Sequence, residues 1–509
     1  MRKYQLKKVV NLLKVIEQAQ TAKMYDDCQK GALFLCDFIE KVEGKNGAGA
    51  ETVALLIQYC EHLFKAKSGE TEEAVLSHHL AKIEDSVNHN ISPRAEIVFL
   101  SYKSSMSDSI IPVYLAAKAD PACDAYFIPI PYFSRNPNGS IGQMHYEGAE
   151  HYSDDIEITD WQSYNIEARR PDAVFTFVAY DGMNKITYVH PDFFTERLRN
   201  LTDMLVYIPY FVTADNIEKH HMVPACAYAH KTIVQSEKVK ESYIRYYKNV
   251  YSPSVGNSYG RPEDKFVALG SPKFDIAVNS TRDDFHLPDE WRNLIGDKKV
   301  VFYNSSVVPM LEGNEQYFNK LRHIFKVFRN RDDVVLWWRP HPLSEETYRS
   351  MRPHLLDEYK QIVNQYRDEG WGILDICDTA RDLYRAVVWS DIYYGDPSSV
   401  ACMFQSIGKP VIMSDYNIIS TDYVDDVLKQ KCRELYQSQC NKAKTSLDYI
   451  FWESNFDHLN VSLDVMLNPT KEIFDCLKKQ AETIANITAN VGVAGEAIYN
   501  TCKEWVLGS

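Results

Sequence analysis

The chain has 509 residues, too many for one hydrophobic core, and its length predicts about two to four domains. A hydrophobic fraction of 45% and a charged fraction of 25% are typical of a soluble globular protein. The formal net charge of −14 argues against non-specific binding to nucleic acid, which needs a basic surface. No run of about 18 apolar residues occurs, so no membrane span is predicted.

Eleven cysteines are scattered along the chain without CxxC pairs. An odd count without a paired framework predicts reduced thiols in a cytosolic protein. The first twenty residues are not expected to form a signal peptide, because Lys14 interrupts their apolar run and no small-residue cleavage site follows.

Residues 1–92 are predicted to be helical, and the first helix is amphipathic with many lysines. Its apolar residues share one face: Leu6, Val9, Val10, Leu13 and Ile16. One interpretation is a helix packed on its own domain. The other is a basic amphipathic helix that rests on an anionic membrane surface.

From residue 95 the hydrophobic pattern changes to short apolar runs that alternate with helical stretches. Residues 95–278 are predicted to form one α/β domain, with strands in AEIVFLSY, DAYFIPIPYF, PDAVFTFVAY, DMLVYIPYF, KTIVQS and KFVALGS. Residues 279–430 repeat the pattern in a second α/β domain, and residues 431–509 are mostly helical. Two such domains in tandem make a cleft, and ligands of open parallel sheets bind beyond the carboxyl ends of the strands.

The segment RPHP follows the predicted strand VVLWW, so it lies at such a strand end. Prolines on both sides of His341 stiffen the backbone there. Arg339 offers a guanidinium fork for a phosphate, and His341 could donate to a phosphate oxygen or protonate a leaving group. The competing interpretation is a structural turn.

The segment YYGDPSSV follows another strand and opens a helix that Gly408 and Pro410 end. Ser398 or Ser399 is a good N-cap, and the amide groups and dipole of such a helix favour a bound anion. Asp396 would repel a phosphate. It therefore fits a sugar or glycerol hydroxyl, or a role in setting the turn.

Other strand ends carry weaker candidates. A polar segment similar to DPSS follows the first strand of the second domain. The first domain has polar residues after its first strand and at its end. These candidates are Asn304, Ser305 and Ser306 in the second domain, and Asp108, Gly270 and Lys273 in the first. Ser104 and Ser105 accompany Asp108.

Several classes are disfavoured by missing motifs. The chain has no GxxxxGK[ST] and no GxGxxG, which argues against P-loop ATPases and dinucleotide dehydrogenases. No HExxH occurs, and the second domain has no DxD, so neither a metal site nor a cofactor is predicted. The adjacent pair His220 and His221 is a poor metal site, because neighbouring side chains point in different directions.

Taken together, RPHP, SDIYYGDPSSV and GKPVI resemble the CDP-glycerol glycerophosphotransferase family, the teichoic-acid primases and polymerases with the GT-B fold. ALGSPKFD resembles the segment that this family carries at its domain junction. The resemblance is strong over residues 265–415, and the first α/β domain is similar to a divergent branch. It implies two Rossmann-like domains that face a cleft, with an extra helical region at the N-terminus.

The resemblance also implies a mechanism. His341, Ser398 and Ser399, with Arg339 and Asp396 beside them, would hold the pyrophosphate of CDP-glycerol. An acceptor hydroxyl would attack the β-phosphorus and CMP would leave, which requires charge stabilisation more than covalent help. Family members act in the cytoplasm at the inner membrane face on polymer or lipid-linked acceptors, and residues 1–20 would provide the membrane contact.

One departure concerns the general base. The family carries Trp-His-Gly-Thr where this chain has YIPYFVTAD, so Asp108, His145 and His220 become replacement candidates. The donor also stays open to CDP-ribitol. The alternatives are a GT-B glycosyltransferase or 2-epimerase that uses a UDP-sugar, and a non-catalytic nucleotide-binding GT-B module.

Overall fold

The structure is a computed structural model. It describes the whole chain apart from residues 71, 214–222, 251–259, 378, 415–425, 445, 453–458 and 509. Within that described part, no helix combines the length and apolar character needed to cross a membrane. The chain forms two compact units, the first made of residues 1–97, 117–125 and 502–509, and the second of residues 98–116 and 126–501.

The first unit is built on a helical bundle, as the apolar spacing of its sequence predicts. Its helices are α1 (Lys3–Thr21), α2 (Tyr25–Glu43), α3 (Ala50–Lys67) and α4 (Glu73–Asn90). Val9, Leu13 and Ile16 of α1 lie in the core of this bundle. The apolar face of α1 is therefore used for packing on its own unit, which supports the first of the two interpretations of this helix.

The first α/β domain contains a six-stranded sheet with the order β2-β1-β5-β7-β8-β9 and a smaller sheet with the order β4-β3-β6. Its strands are β1 (Ala95–Ser101), β2 (Cys123–Pro129), β3 (Tyr132–Arg135), β4 (Ile141–His145), β5 (Ala173–Thr176), β6 (Thr187–Val189), β7 (Met204–Tyr207), β8 (Lys231–Val234) and β9 (Phe266–Ala268). The pairs from β5 to β9 are parallel.

The antiparallel sheet of β3, β4 and β6 is not predicted from the sequence. Its strands are short and partly exposed, so they lack the continuous apolar runs that reveal the main sheet. The helices of this domain are α5 (Ile111–Ala119), α6 (Ile166–Arg169), α7 (Thr195–Leu201), α8 (Pro224–Tyr228), α9 (Glu237–Val250), α10 (Pro262–Lys265) and α11 (Pro272–Asn279).

The second α/β domain has a parallel six-stranded sheet with the order β12-β11-β10-β13-β14-β15. Its strands are β10 (Lys299–Ser305), β11 (Val334–Pro340), β12 (Ile373–Leu374), β13 (Ile392–Gly395), β14 (Val411–Met413) and β15 (Ile450–Trp452). The predicted strands appear as β10 to β14, while β15 lies in the region predicted to be helical. Two parallel sheets in tandem confirm the predicted pair of Rossmann-like domains in a GT-B-like fold.

Helices cover the second sheet and continue to the C-terminus. They are α12 (Asp289–Ile295), α13 (Val307–Gly313), α14 (Glu315–Arg329), α15 (Ser344–Met351), α16 (Leu356–Glu369), α17 (Ala380–Trp389), α18 (Ser399–Ser406), α19 (Asp426–Lys442), α20 (Leu459–Leu467), α21 (Lys471–Ile487) and α22 (Ala494–Leu507). Cys440 of α19 and Cys476 of α21 form a disulfide. The expectation that every cysteine is a reduced thiol is therefore wrong for this pair, while the other nine are free.

The chain returns to the first α/β domain near its end. The buried carboxylate of Asp275 in α11 accepts hydrogen bonds from the backbone N–H groups of Ala494 at 2.9 Å and Gly495 at 2.7 Å. Gly270 has a φ of +95°, and a Cβ placed there would lie 2.1 Å from the carbonyl oxygen of Ala489. The predicted site residue Gly270 thus allows a close backbone approach by the C-terminal segment.

Gly395, the last residue of β13, provides a test of how tightly the second sheet is built. Its φ is +142°, and a Cβ would lie 2.2 Å from the carbonyl oxygen of Asn304 in β10. We expect Gly395→Ala to lower the free energy of unfolding by about 3 kcal/mol or more, because the two strand ends must separate. Urea unfolding followed by circular dichroism measures the loss.

Gly370→Ala is the matched control for this variant. Gly370 has a φ of +63° and no heavy atom within 4 Å of an added Cβ, so only the backbone strain of about 1–2 kcal/mol applies. Equal losses in the two variants would contradict the close packing of β13 on β10.

Candidate functional site

The predicted motifs of the second domain meet at one edge of its sheet. Strands β11, β10 and β13 are neighbours, and their registers pair Asn304 with both Arg339 and Gly395. The segments that follow these strands therefore leave the sheet side by side. Distant parts of the sequence, residues 304–306, 339–342 and 395–399, are brought together in this way.

Asp396 fastens two of these segments to each other. Its backbone N–H donates to the carbonyl oxygen of Asn304 at 2.9 Å. Its Oδ2 accepts from the N–H of Ser306 at 2.7 Å and from the hydroxyl of Tyr317 at 2.8 Å. Burial raises the pKa of Asp396 to about 6. The geometry gives Asp396 the turn-setting role that was one of its two predicted uses.

The helix that follows this turn begins as predicted. Ser398 is the N-cap of α18, and its Oγ accepts a hydrogen bond from the N–H of Val400 at 3.1 Å. Ser398 also lies 3.2 Å from the hydroxyl of Tyr393, and Ser399 is the first residue of the helix. Both serines are half-buried, so the positive end of the helix dipole meets a partly desolvated space.

His341 is fixed in position by backbone contacts. Its N–H donates to the carbonyl oxygen of Ser305 at 3.0 Å, and its Nδ1 accepts from the N–H of Leu343 at 3.1 Å. Burial lowers the pKa of His341 to about 4, and the charges of Lys103 and Arg339 act in the same direction. The imidazole is neutral at pH 7, and its proton then sits on Nε2 as a hydrogen-bond donor.

The guanidinium of Arg339 is less available to a phosphate than predicted. Its Nη1 lies 2.8 Å from Oδ2 of Asp375, which is 0% exposed, and its Nη2 donates to the carbonyl oxygen of Cys377 at 2.7 Å. Asp375 also accepts from the indole N–H of Trp337 at 3.0 Å. Arg339 reaches the cavity with its charge largely balanced, and Asp375 is a supporting residue that no sequence motif revealed.

Asp108 and Lys273 form a buried ion pair within the second unit. The ammonium of Lys273 binds the carboxylate of Asp108, and the hydroxyl of Tyr384 donates to Asp108 Oδ2 at 2.8 Å. The same hydroxyl lies 3.2 Å from the carbonyl oxygen of Lys273. Asp108 is 0% exposed. It links the segment after β1 to Lys273 of α11 and Tyr384 of α17, and it does not present a free carboxylate to an acceptor.

A cavity of about 120 Å³ lies where these groups converge. Of the predicted site residues, the ones that line it are Asn304, Arg339, His341, Ser398, Ser399 and Lys273. Ser105, Met106 and Tyr210 line it from the first domain, and Leu383 from α17. Within the described part of the chain, the Oγ of Ser105 and the Nδ2 of Asn304 are buried without a hydrogen-bond partner. A ligand in the cavity would find two polar groups ready to bind it.

The remaining predicted residues have other positions. Ser305 lies behind the cavity wall, where its Oγ accepts from the indole N–H of Trp338 at 3.1 Å, and Ser306 stands at the N-cap position of α13 without a side-chain capping bond. His145 stacks on Tyr132 in the antiparallel sheet, with ring centroids 5.3 Å apart. His220 and His221 lie outside the described residues.

Tyr210, Met106 and Leu383 were missed by sequence reasoning. Tyr210 falls inside the predicted strand DMLVYIPYF, whereas β7 ends at Tyr207 and leaves Tyr210 just beyond the strand end. Met106 and Leu383 carry no motif that marks a site residue. Across the described residues, no group of three or more histidine, cysteine or acidic side chains could hold a metal ion.

The cavity and the two parallel sheets define a GT-B-like α/β protein. The sequence profile of the family described as CDP-Glycerol:Poly(glycerophosphate) glycerophosphotransferase matches residues 216–427, which include both the RPHP and the DPSS segments. The predicted resemblance to CDP-glycerol glycerophosphotransferases is therefore confirmed, and the chain is similar to transferases of this kind. No curated protein sequence matches the chain.

Comparison with solved structures gives distant matches. A structure described as a putative UDP-N-acetylglucosamine 2-epimerase from Listeria monocytogenes has 13% identity and a TM-score of 0.48, covering 82% of this chain and 98% of that one. The S. aureus MnaA complex with UDP has 12% identity and a TM-score of 0.48, covering 81% and 97%. The wall teichoic acid polymerase TagF has 13% identity and a TM-score of 0.44, covering 89% and 98%.

The buried ion pair leads to a stability prediction. Asp108→Asn leaves the Lys273 ammonium buried without its counter-charge, so we expect the free energy of unfolding to fall by about 3 kcal/mol. Urea unfolding measures this loss. Asp264→Asn is the control, because Asp264 pairs with Arg261 in an exposed salt bridge and its loss should cost less than about 1 kcal/mol. Equal effects would contradict the buried pair.

His341 leads to a prediction about pH. Its folded pKa of about 4 lies below the unfolded value near 6.5. Between these values the unfolded chain binds more protons, so the contribution of His341 to stability falls as the pH drops through this window. The ring-proton resonance that disappears in His341→Gln should titrate near pH 4. A midpoint near 6.5 would show that the ring is solvated.

Proposed function

We propose that the protein transfers glycerol phosphate, or a similar polyol phosphate, from a CDP-activated donor to a hydroxyl of a surface or cell-wall polymer, with release of CMP. The observation that carries this proposal is the convergence of the α18 N-terminus, neutral His341 and Lys273 on one small cavity. Each of these groups favours phosphate oxygens, and none of them is a carboxylate.

The donor's pyrophosphate would occupy the cavity. The N-terminus of α18, with Ser398 and Ser399, would bind phosphate oxygens through amide and hydroxyl hydrogen bonds. His341 would donate from Nε2 to an oxygen on the departing side. Because the imidazole is neutral at pH 7, this bond needs no prior protonation of the ring.

The reaction itself is an in-line phosphoryl transfer. An acceptor hydroxyl forms a bond to the β-phosphorus and passes its proton to water, while the bond from the β-phosphorus to the bridging oxygen breaks. CMP leaves with that oxygen and its electron pair. The amide groups, the serine hydroxyls and Nε2 of His341 would stabilise the charge that develops on the oxygens, which is the main requirement of this chemistry.

The proposal includes an acceptor and a location. A polymer or lipid-linked acceptor fits the family resemblance. Peripheral contact with a membrane through residues 1–20 would rest on the exposed lysines Lys3, Lys7, Lys8 and Lys14, since the apolar face of α1 is buried. Such contact would be electrostatic and would weaken with salt.

The central test is release of CMP from CDP-glycerol in the presence of a glycerol-phosphate acceptor. We expect His341→Ala to reduce the rate by about 100-fold or more, because it removes the hydrogen-bond donor beside the leaving group. The matched control is His354→Ala, which changes an exposed histidine of the same domain and should leave the rate unchanged.

Calorimetry with CDP-glycerol separates the ways in which this test could fail. Binding without CMP release would indicate a different acceptor. Absence of both binding and release would contradict the donor assignment, and CDP-ribitol and a panel of UDP-sugars would then be compared. Release of UDP in that panel would favour the alternative enzyme class.

A further inference from the structure

A second cavity of about 430 Å³ opens between the two α/β domains of the second unit, away from the candidate donor cavity. Arg135, at the end of β3, and Lys185 line it from the first domain. Arg352, which follows α15, lines it from the second. No carboxylate is among the residues that line this second cavity, which we call the cationic cavity.

The three cations are held without neutralising partners. The guanidinium of Arg135 donates to the carbonyl oxygens of Gly139 at 2.9 Å, Gly182 at 2.6 Å and Asn184 at 3.3 Å, which fixes its direction but leaves its charge. Arg352 donates from Nε to Oδ1 of Asn314 at 3.0 Å.

Lys185 is exposed on the rim of the cationic cavity. Among the residues that the structure describes, no carboxylate forms an ion pair with any of the three cations. Three uncompensated positive charges around one concave surface attract an anion.

Two elements connect the cationic cavity to the donor cavity. In the first domain, β3 begins at Tyr132, whose ring lies 5.5 Å from the ammonium of Lys103, and ends at Arg135. Lys103 is close enough to His341 to lower the pKa of that histidine. Three steps along the strand, at about 3.3 Å each, carry the backbone about 10 Å from Tyr132 to Arg135.

The connection in the second domain has a similar length. Ser344, the first residue of α15, donates its N–H to the carbonyl oxygen of His341 at 2.8 Å. The helix ends at Met351, one residue before Arg352, and its length corresponds to about 12 Å. In both domains, one short element of about 10–12 Å thus connects residues near the donor cavity to the cationic cavity.

We infer that the cationic cavity binds a phosphodiester of the acceptor chain and thereby orients its terminal hydroxyl toward the donor. This inference rests on the proposed function. A glycerol-phosphate polymer carries a negative charge on each repeat, and the net charge of −14 repels such a chain in general. A local cationic site overcomes that repulsion, and Met183, which is 71% exposed beside it, offers apolar contact to the glycerol carbons.

The test measures binding of a soluble glycerol-phosphate oligomer of defined length by calorimetry, using the full chain. We expect Lys185→Glu to weaken the oligomer affinity about tenfold, and Lys185→Glu with Arg352→Gln to weaken it further. CDP-glycerol affinity should stay unchanged in both variants. The matched control is Lys431→Glu, which makes the same charge change on an exposed lysine of α19.

Three outcomes would overturn the inference. The wild type could fail to bind the oligomer, the two cavity variants could bind it as tightly as wild type, or Lys431→Glu could lose as much affinity as Lys185→Glu. Vesicles that contain phosphatidylglycerol provide a separate comparison. If Lys185→Glu reduced sedimentation with vesicles but not oligomer binding, the cavity would be assigned to a lipid surface and the inference would be wrong.

The result is distinguishable from failure of the proposed function. A protein that binds the oligomer at the cationic cavity but does not bind CDP-glycerol would contradict the donor assignment and leave the anion site in place. A protein that binds CDP-glycerol but not the oligomer would contradict the anion site and leave the donor assignment in place.

Discussion

Two buried carboxylates determine where the functional groups of the second domain lie. Asp396 is 1% exposed and ties the segment after β10 to the segment after β13, while Asp375 is 0% exposed and holds Arg339 of β11. Breaking either set of contacts would leave a carboxylate buried without partners, which is strongly unfavourable. The positions of His341 and the α18 N-terminus depend on these fixed strand ends.

The acidic groups around the donor cavity point away from it, and two of them pair with the cations. Each acidic group is directed into the protein, where Asp108 neutralises Lys273 and Asp375 balances Arg339. The cavity itself is left with amide groups, hydroxyls, a neutral imidazole and the edges of two cations. Such a lining offers hydrogen-bond donors to phosphate oxygens, which is what the proposed function requires.

The sequence predicted the elements that have strong patterns. The near-continuous apolar runs revealed β10 and β11, and the helix signals gave two N-cap candidates, of which Ser398 is the N-cap. The antiparallel sheet and the disulfide between Cys440 and Cys476 were not predicted, since short exposed strands and distant cysteine pairs leave no local periodicity.

For the site residues, the position along the chain was predictable but the direction of the side chain was not. Their place after strand ends was predictable, and His341, Ser398 and Ser399 do line one cavity. The direction of a side chain was not predictable, because it depends on partners far away in sequence. The carboxylate of Asp108 binds Lys273 and Tyr384, and that of Asp396 binds Tyr317. These partners lie on other elements of the fold.

The most direct measurement is a crystal structure of the protein with CDP-glycerol. The account predicts that the pyrophosphate occupies the cavity of about 120 Å³, with phosphate oxygens at hydrogen-bond distance from the backbone N–H of Ser399 and from Nε2 of His341. A nucleotide bound elsewhere on the chain, with this cavity unoccupied, would contradict the assignment of these strand ends as the donor site.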